Sequence, residues 1–302
     1  MAGLSPSDGR FAPSPTGPLH LGSLRTALVA WLFARGAGAR FLVRVEDLDP
    51  QRSRRAFEAG QLADLRALGL DWDGPVVRQS DRLGLYADAL ETLERLGRVY
   101  PCFCSRAEIR AAASAPHGPG AGGGYPGTCL ALSDAERARR IAAGDRYALR
   151  VRADGERMSF TDRLLGDRAA AVDDFVVRRA DGIAAYQLAV VVDDAAQGIG
   201  EVVRGADLAD STPRQILLGR LLGLPVPRYA HVPLVVGADG ARLAKRHGAA
   251  TLADRSEPVA ATLALLAHSL GLASDRRRVA GAGDLLDDFD PARLPRAPTV
   301  LS

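Results

Sequence analysis

The sequence predicts an α/β protein with a doubly wound, Rossmann-like parallel sheet, a cysteine-bearing insertion and a short helical C-terminal subdomain. Three observations lead to this fold class. A strand, a stiff loop, a helix and a second strand follow one another at the N-terminus, and this order begins a parallel sheet. All three cysteines and a glycine-rich run then interrupt the pattern between residues 100 and 132. Strand-like and helix-like patterns resume near residue 185, where we expect the second half of the sheet.

The first sheet half begins with a short strand, residues 9–12, and a proline-rich loop, residues 13–18. The prolines and a glycine exclude regular structure from this loop. Apolar residues at helical spacing then predict a helix over residues 22–35, which the following glycines terminate. The alternating segment of residues 40–46 is rich in branched side chains and predicts the second strand.

The remaining elements follow from the same patterns. Helices are predicted over residues 54–68 and 81–96, strands over 147–152 and 175–178, further strand or helix patterns over 185–192, 212–222 and 231–236, a helical tail from about residue 258, and an irregular end over 287–302. We therefore divide the chain into four parts. These are the first half of a nucleotide-binding domain (1–99), an insertion (100–180), the second half of the domain (181–240), and a loop with a short helical tail (241–302).

Composition and charge exclude several classes of protein. With 47% hydrophobic residues among 302, the chain can bury a substantial core. No run approaches eighteen apolar residues and the N-terminus lacks a signal-peptide pattern, so we expect a cytoplasmic protein without a membrane span. Three cysteines fit a reducing compartment and a metal site better than a disulfide framework. The net charge of +3 is compatible with a nucleic-acid partner without arguing for one. Nothing indicates an obligate assembly, so we expect a monomer.

The loop between the first strand and the first helix, residues 13–23, is the most informative segment. A helix N-terminus carries unpaired amides and the positive end of the helix dipole, and both favour phosphate. Gly22 lets a nucleotide approach the backbone, and His20 can donate to phosphate oxygens. A proline-glycine loop before a helix is also common where no ligand binds, so this string alone leaves both interpretations open.

A basic segment late in the chain, residues 239–246, contains Arg242, Lys245 and Arg246. Cations in such a loop can stabilise the charge that develops on a leaving pyrophosphate. In isolation the segment also fits an ordinary basic turn after a hairpin. Its occurrence together with the loop at His20 favours the functional interpretation.

Together the two segments resemble the signature motifs of class I aminoacyl-tRNA synthetases. The string RFAPSPTGPLHLG is similar to the HIGH region of the glutamyl subgroup, with Ser23 replacing the second histidine as is usual there. The basic segment resembles a degenerate KMSKS loop in which Lys245 takes the place of the second lysine. The resemblance implies that ATP, bound with Mg²⁺, activates glutamate. It also implies that His20 and Lys245 are catalytic, and that His20, Gly22 and Lys245 bind ATP.

A glutamate pocket needs an acidic group for the ammonium and arginines for the carboxylates, because arginine matches a carboxylate bidentately. Arg10 precedes the HIGH-like loop, and Glu46 ends the second predicted strand, at the sheet edge where ligands bind. Tyr186 and Arg204 lie in strings that resemble the second sheet half of the glutamyl subgroup. Glu46 would take the ammonium, and Arg10 and Arg204 the carboxylates. The glutamate-binding residues implied by the resemblance are Arg10, Phe11, Ala12, Pro13, Ser14, Glu46, Tyr186 and Arg204.

Cys102, Cys104 and Cys129 supply three thiolates, one short of a closed tetrahedral zinc site. Zinc stabilises segments too small to bury a core, which suits this glycine-rich insertion. From the residues alone the fourth ligand is His117 or Tyr125, and imidazole is the usual choice because the ordinary pKa of a phenol is about 10. The resemblance favours Tyr125, since Cys-x-Cys followed by Tyr-x-x-x-Cys is similar to a subgroup with a tyrosine ligand. We therefore predict one structural Zn²⁺ on Cys102, Cys104, Tyr125 and Cys129.

Only about 56 residues follow Arg246, too few for the helical anticodon-binding region of a full glutamyl-tRNA synthetase. In this respect, in its cysteine pattern and in its degenerate loop, the chain resembles the glutamyl-queuosine tRNA(Asp) synthetases over roughly residues 9–270. That resemblance implies activation of glutamate without tRNA, followed by transfer to the queuosine base in the anticodon loop of tRNA(Asp). Two alternatives stay open. One is a truncated glutamyl-tRNA synthetase that charges a 3′ end, and the other is a non-catalytic synthetase-like protein that binds a nucleotide or an amino acid.

Overall fold

The structure is a computed structural model and describes residues 5–105, 107–109, 125–237, 251–273 and 279–300. The strands in these residues are β1 (Ser5–Phe11), β2 (Phe41–Val45), β3 (Val77–Arg78), β4 (Val99–Cys102), β5 (Ala148–Val151), β6 (Arg157–Asp162), β7 (Gly166–Ala171), β8 (Phe175–Arg178), β9 (Ile199–Gly205), β10 (Arg228–Val232), β11 (Val235–Val236) and β12 (Thr299–Val300). The α-helices are α1 (Leu21–Gly36), α2 (Arg55–Ala67), α3 (Leu83–Arg95), α4 (Asp134–Ala142), α5 (Tyr186–Ala196), α6 (Thr212–Leu221) and α7 (Val259–Ser269). Short 3-10 helices cover Gln79–Arg82, Ala206–Ser211, Ala282–Leu285 and Pro291–Arg293.

The central sheet has seven strands in the order β3-β2-β1-β9-β10-β6-β7. β1 pairs in parallel with both β2 and β9, and β9 pairs in parallel with β10. The chain therefore winds outward from β1 in one direction through β2 and β3, and later in the other direction through β9 and β10. This reversal leaves a crevice at the carboxyl ends of β1 and β9, which is where open α/β sheets bind ligands. The predicted doubly wound parallel sheet is confirmed.

Helices cover both faces of this sheet. On one face α1 and α7 bury residues such as Leu28 and Leu266 with Phe41 of β2. On the other face α3, α5 and α6 form a second core that includes Leu93 and Leu188. Full burial of a leucine stabilises the fold by about 1.5–3 kcal/mol relative to exposure. Because α1 lies between the sheet and α7, it is apolar nearly all round rather than along one stripe.

The insertion is divided between two sheets. β4, β5 and β8 form a separate antiparallel sheet, with Cys102 at the end of β4. The hairpin of β6 and β7 instead extends the central sheet, where β6 pairs with β10. Asp162 at the end of β6 accepts hydrogen bonds from the backbone and ring of His231 in β10. The local sequence pattern assigns this hairpin to the insertion. Its pairing with β10 does not follow from that pattern, because the pairing joins residues far apart in the chain.

The C-terminal tail is helical at α7, as predicted. The prediction of an irregular end over residues 287–302 is wrong in part, because β12 pairs in parallel with β11. The amide of Thr299 donates to the carbonyl of Leu234 at 3.0 Å. Both β12 residues follow the last proline, Pro298, so their N–H groups remain available for pairing. None of the described helices is both long and apolar enough to cross a membrane.

Candidate functional site

A cavity of about 480 Å³ opens at the crevice between β1 and β9. Its wall comes from the ends of β1, β2 and β9, the loop after β1, and the first turns of α1 and α5. Every described residue that the sequence predicted for amino-acid or nucleotide binding lines it: Arg10, Phe11, Ala12, Pro13, Ser14, His20, Gly22, Glu46, Tyr186 and Arg204. Lys245 lies outside the described residues.

The loop after β1 is fixed by neighbouring elements. The buried amide group of Gln61 in α2 donates to the carbonyls of Ser14 at 3.0 Å and Gly17 at 2.7 Å. The backbone amide of Glu46 donates to the carbonyl of Pro13 at 2.9 Å, which joins the end of β2 to the same loop. The loop therefore presents a defined surface to the cavity.

His20 is the N-cap residue of α1, and its Nδ1 accepts a hydrogen bond from the amide of Ser23 at 3.1 Å. The hydroxyl of Ser23 lies 3.1 Å from Nε2 of the same ring. A Cβ at Gly22 would lie 3.1 Å from this Nδ1, so glycine permits the close approach of the histidine to the helix. The imidazole and the helix N-terminus together line the part of the cavity suited to phosphate.

Described residues on both sides of the segment that contains Lys245 lie at or beside this cavity. Before it, Val235 lines the cavity wall. After it, Thr251 forms an isolated backbone bridge with His20 and is buried.

Arg10 is almost fully buried at the end of β1 and pairs with Asp194 of α5. Its Nε donates to Asp194 Oδ1 at 3.0 Å and its Nη2 to Oδ2 at 3.2 Å. Its Nη1 donates to the carbonyl of Val203 at 3.4 Å. Arginine carries five N–H donors, so one on Nη1 and one on Nη2 make no hydrogen bond with any described residue. These two groups can bind a carboxylate of a ligand in the cavity.

Arg44 of β2 is wholly buried and connects Asp194 with Glu46. Its Nη1 donates to Asp194 Oδ1 at 2.7 Å, and its Nη2 lies 3.4 Å from Glu46 Oε1. Burial alone would raise the pKa of Asp194, but the charges of Arg10 and Arg44 outweigh it and hold that pKa below its usual value. Asp194 is therefore ionised and aligns both arginines.

Burial raises the pKa of Glu46, and the nearby Arg44 and Arg10 only partly offset this. A cation next to a buried carboxylate with a raised pKa stabilises its ionised form, which burial has deprived of interactions with water. Glu46 lines the same cavity as the two free donor groups of Arg10. An anion-binding and a cation-binding group thus face one volume, as an α-amino acid requires.

Arg204 at the end of β9 is held differently from Arg10. Its Nε donates to His231 Nε2 at 3.0 Å, and its Nη2 to Thr212 Oγ1 at 2.8 Å and the carbonyl of Leu208 at 3.4 Å. Its Nη1 lies 2.8 Å from Gln215 Oε1 and 3.3 Å from the hydroxyl of Tyr186. These contacts use its five donors. A ligand carboxylate can therefore bind Arg204 only by replacing one of these contacts. The contact to Tyr186, which lines the cavity, is the longest of those made with side chains.

The acceptor role of His231 requires the neutral ring. Its Nδ1 lies 2.5 Å from Asp162 Oδ2 and donates the proton, which leaves Nε2 to accept from Arg204. Burial lowers the pKa of His231; the hydrogen bond to Asp162 opposes this, and the charges of Arg204 and Arg10 reinforce it. The histidine is therefore neutral near pH 7 and aligns Arg204.

A second cluster lies in the insertion, where the sulfurs of Cys102, Cys104 and Cys129 are all within 4.8 Å of one another. The hydroxyl of Tyr125 lies 3.5 Å from Cys102 Sγ and 3.7 Å from Cys104 Sγ. The same oxygen accepts a hydrogen bond from the amide of Cys129 at 2.8 Å. The structure thus brings the four predicted ligands together, while His117 lies outside the described residues.

The four side chains of this cluster affect one another's protonation. Burial raises the pKa of the Cys104 thiol to about 11. Burial also acts on Cys129, but hydrogen bonds from Tyr125 and from the amide of Phe103 outweigh it and lower that pKa. Three thiols and a phenol around one point form a donor set that suits zinc, which displaces such protons on binding.

Sequence reasoning missed the residues that position the predicted ones. Gln61, Arg44, Asp194 and His231 carry no motif of their own, although Asp194 lies within a string that the sequence singled out. The available signal was a charged residue in the middle of an apolar strand, Arg44 in FLVRV, because a fully buried charge must be paired.

Residues 8–269 match the family described as tRNA synthetases class I (E and Q), catalytic domain. The chain is 59% identical over 297 residues to a protein of Nocardia farcinica named Glutamyl-Q tRNA(Asp) synthetase, covering 97% of this chain and 93% of the relative. It is 52% identical to a protein of the same name from Symbiobacterium thermophilum, covering 96% and 94%.

Among solved structures, a glutamate tRNA ligase from Elizabethkingia meningosepticum in complex with its amino acid is similar in fold. The two share 26% sequence identity with a TM-score of 0.85, and the match covers 99% of this chain and 67% of the ligase. A structure described as an arginyl-tRNA synthetase from Campylobacter jejuni matches at 14% identity with a TM-score of 0.51, which supports the fold alone.

Proposed function

Because the chain belongs to the class I tRNA synthetases of the glutamyl and glutaminyl group, and among them to the glutamyl-Q tRNA(Asp) synthetases, we propose that it activates glutamate with ATP and transfers it to queuosine in the anticodon loop of tRNA(Asp). The observation that carries this proposal is that Glu46 and Arg10, with its two free donor groups, line the same cavity, beside a helix N-terminus that His20 caps. An ammonium, a carboxylate and a phosphate chain each have a partner there.

In the first reaction the α-carboxylate of glutamate attacks the α-phosphorus of ATP, which gives glutamyl-adenylate and pyrophosphate. Glu46 binds the ammonium, and Arg10, aligned by Asp194, binds a carboxylate. His20 and the amides at the start of α1 contact phosphate oxygens, and Lys245 stabilises the leaving pyrophosphate. Mg²⁺ bound with ATP would reduce the charge of the phosphates. No residue needs to transfer a proton in this step, since both reacting oxygens are already ionised.

In the second reaction a hydroxyl of the acceptor nucleotide attacks the carbonyl of the adenylate. The mixed anhydride is already activated, so a dedicated nucleophile of the protein is not required. In the insertion, Cys102, Cys104, Cys129 and Tyr125 would hold one Zn²⁺, which cross-links β4 to the chain around residue 129. The proximity of the Tyr125 hydroxyl to the sulfurs supports tyrosine as the fourth ligand.

The activation step is tested by exchange of labelled pyrophosphate into ATP in the absence of tRNA. We expect exchange that depends on glutamate and is not supported by glutamine or aspartate. Glutamine tests the side-chain carboxylate, and aspartate tests the length of the side chain. Absence of glutamate-dependent exchange would contradict the proposed function.

The acceptor is tested separately with tagged glutamate. We expect transfer to tRNA(Asp) that carries queuosine and not to the same tRNA made without it. A truncated glutamyl-tRNA synthetase would instead label tRNA(Glu) at its 3′ end. Equal transfer to tRNA(Asp) with and without queuosine would remove the queuosine assignment while leaving glutamate activation intact.

A further inference from the structure

Arg25, in the second turn of α1, is a buried arginine that lies outside both sequence motifs. It is 1% exposed, and every hydrogen-bond partner that it has among the described residues is a neutral oxygen. Burial lowers its pKa to about 10, so the guanidinium is still charged near pH 7. Because a buried charge without an acidic partner is costly, its hydrogen bonds to these oxygens are what stabilise it there.

The hydrogen bonds of Arg25 join α1 to three other parts of the chain. Its Nη1 donates to the carbonyl of Pro233, directly after β10, at 2.8 Å. Its Nε donates to the hydroxyl of Ser269, the last residue of α7, at 3.1 Å, and its Nη2 to the carbonyl of the same residue at 3.3 Å. Its Nη2 also donates to the hydroxyl of Thr299 in β12 at 3.3 Å. One side chain thus holds the residue after β10, the end of α7 and β12 against α1.

The backbone of β12 holds the same part of the chain. β12 pairs in parallel with β11, and the amide of Thr299 donates to the carbonyl of Leu234 at 3.0 Å. Val300 is 51% exposed, and neither residue of β12 belongs to a buried core cluster. Because two such short strands are not stable in isolation, the pair depends on side-chain contacts such as that of Arg25.

The residues that these contacts hold, 233–235, form one wall of the cavity. This wall lies at the nucleotide end, since a Cβ at Gly22 would lie 3.6 Å from the Cβ of Val235. Gly22 and His20 are the two described residues that were predicted to bind ATP. Arg25 does not itself line the cavity, so it can affect ATP only through this wall.

We propose that Arg25 and β12 form a clamp that fixes residues 233–235 for the binding of ATP, which makes Arg25 a positioning residue of the activation reaction. This inference rests on the proposed function and adds to it a part of the molecule outside both motifs. The arginines for glutamate are aligned by other contacts, such as that of Arg10 with Asp194. The clamp therefore acts on ATP and not on glutamate.

Arg25→Met tests the clamp, because methionine fills much of the same volume but donates no hydrogen bond. We expect the KM for ATP in pyrophosphate exchange to rise by about tenfold, since small displacements of positioning groups have effects of this size or larger. The KM for glutamate, and kcat with both substrates saturating, should stay within about twofold. Partial unfolding would instead lower kcat and leave both KM values unchanged, so the measurement separates positioning from a loss of folded protein.

Arg35→Met is the matched control. Arg35 lies in the same helix and joins it to Asp71 and Asp73, but it does not line the cavity. Urea unfolding should show a lower stability for this variant, while its KM for ATP is unchanged. An equal rise of that KM in Arg25→Met and Arg35→Met would assign the effect to a loosened α1 and contradict the clamp.

Thr299→Pro tests β12 by itself and applies even if Arg25→Met does not fold. Proline removes the N–H group that donates to Leu234, and the exposed position of β12 limits the effect on the rest of the fold. We expect the KM for ATP to rise by about threefold or more. Thr299→Val keeps this N–H group and loses only the contact of the hydroxyl with Arg25, so its KM for ATP should stay within about twofold.

An unchanged KM for ATP in Thr299→Pro, or in a folded Arg25→Met, overturns the clamp. Absence of glutamate-dependent exchange in the unaltered protein contradicts the proposed function instead, so the two failures are distinguishable.

Discussion

The carboxylate of Asp194 accepts hydrogen bonds from Arg10, which lines the cavity, and from Arg44, which is fully buried. A single side chain therefore sets the direction of the donor groups offered to substrate and holds a second cation beside Glu46. Removing one partner from a buried charge network leaves the remaining charges buried and unpaired. This usually destabilises the fold more than replacing the whole network by apolar side chains.

Asp194→Asn should raise the KM for glutamate in the exchange reaction by about tenfold or more, with a smaller effect on kcat. The amide keeps the volume of the side chain but loses the charge that aligns Arg10 bidentately. The measurement is steady-state pyrophosphate exchange at varied glutamate and saturating ATP.

The matched control is Asp8→Asn. Asp8, in β1, is likewise a buried aspartate paired with an arginine, Arg40, but it does not line the cavity. It should lower stability without changing the KM. An equal rise in KM in both variants would show that Asp194 acts through stability alone.

At this scale the sequence predicts residues that belong to a motif and misses those that position them. Arg10, His20 and Glu46 follow from the HIGH-like string and the strand end. Arg44 and His231 do not, because their roles depend on partners 150 and 69 residues away, Asp194 and Asp162.

Among the elements, those with a clear local period were predicted closely. The helix expected over residues 22–35 is α1 (Leu21–Gly36), and the strand expected over 40–46 is β2 (Phe41–Val45). The helix expected over 81–96 begins later, at Leu83, because Gln79–Arg82 forms a 3-10 turn. The pairing of β6 with β10 and of β12 with β11 was not predictable, since a strand's period does not specify its partner.

Within the insertion, the identity of the fourth zinc ligand separates two sequence-based hypotheses. Tyr125→Phe should weaken zinc binding by about tenfold or more, because it removes the oxygen that lies beside the sulfurs. Competition with a chromophoric chelator measures the affinity. His117→Ala should retain zinc, and the reverse pattern in the two variants would assign the ligand to His117.

On the scale of the whole molecule, the neutral buried His231 predicts a pH dependence of stability. The pKa of His231 is lowered in the folded chain, so below an ordinary histidine pKa of about 6.5 the unfolded chain binds more protons. This part of the free energy of unfolding is complete above that pH and is lost as the pH falls towards the pKa of the folded state.

Urea unfolding at pH 7.5, 6.5 and 5.5 measures this effect, with the difference between the unaltered protein and His231→Gln as the readout. Glutamine can still accept from Arg204 and donate to Asp162 but does not titrate. The variant should show less loss of stability on acidification. Identical slopes in the two proteins would assign the loss of stability on acidification to other groups, such as Asp194, whose lowered pKa acts in the same direction. Glu46 is not one of them, because its raised pKa acts in the opposite direction.

The overall architecture was the most predictable part, since the order of patterns along the chain specifies a doubly wound sheet and the crevice at its reversal. The clamp of Arg25 and β12 was the least predictable. Arg25 contacts residues 208 and 274 positions away in the chain, and no local pattern states how such distant parts face each other.

The cavity joins Arg10 and Arg204, which are 194 positions apart in the chain. A ribosome adds about 5–20 residues per second, so roughly 10–40 s pass between the synthesis of one wall and that of the other. Throughout that interval a growing chain has no pocket for the amino acid. Any assistance that glutamate or ATP gives to folding is therefore confined to chains in which at least 204 of the 302 residues have been synthesised, and the first sheet half must persist on its own contacts until then.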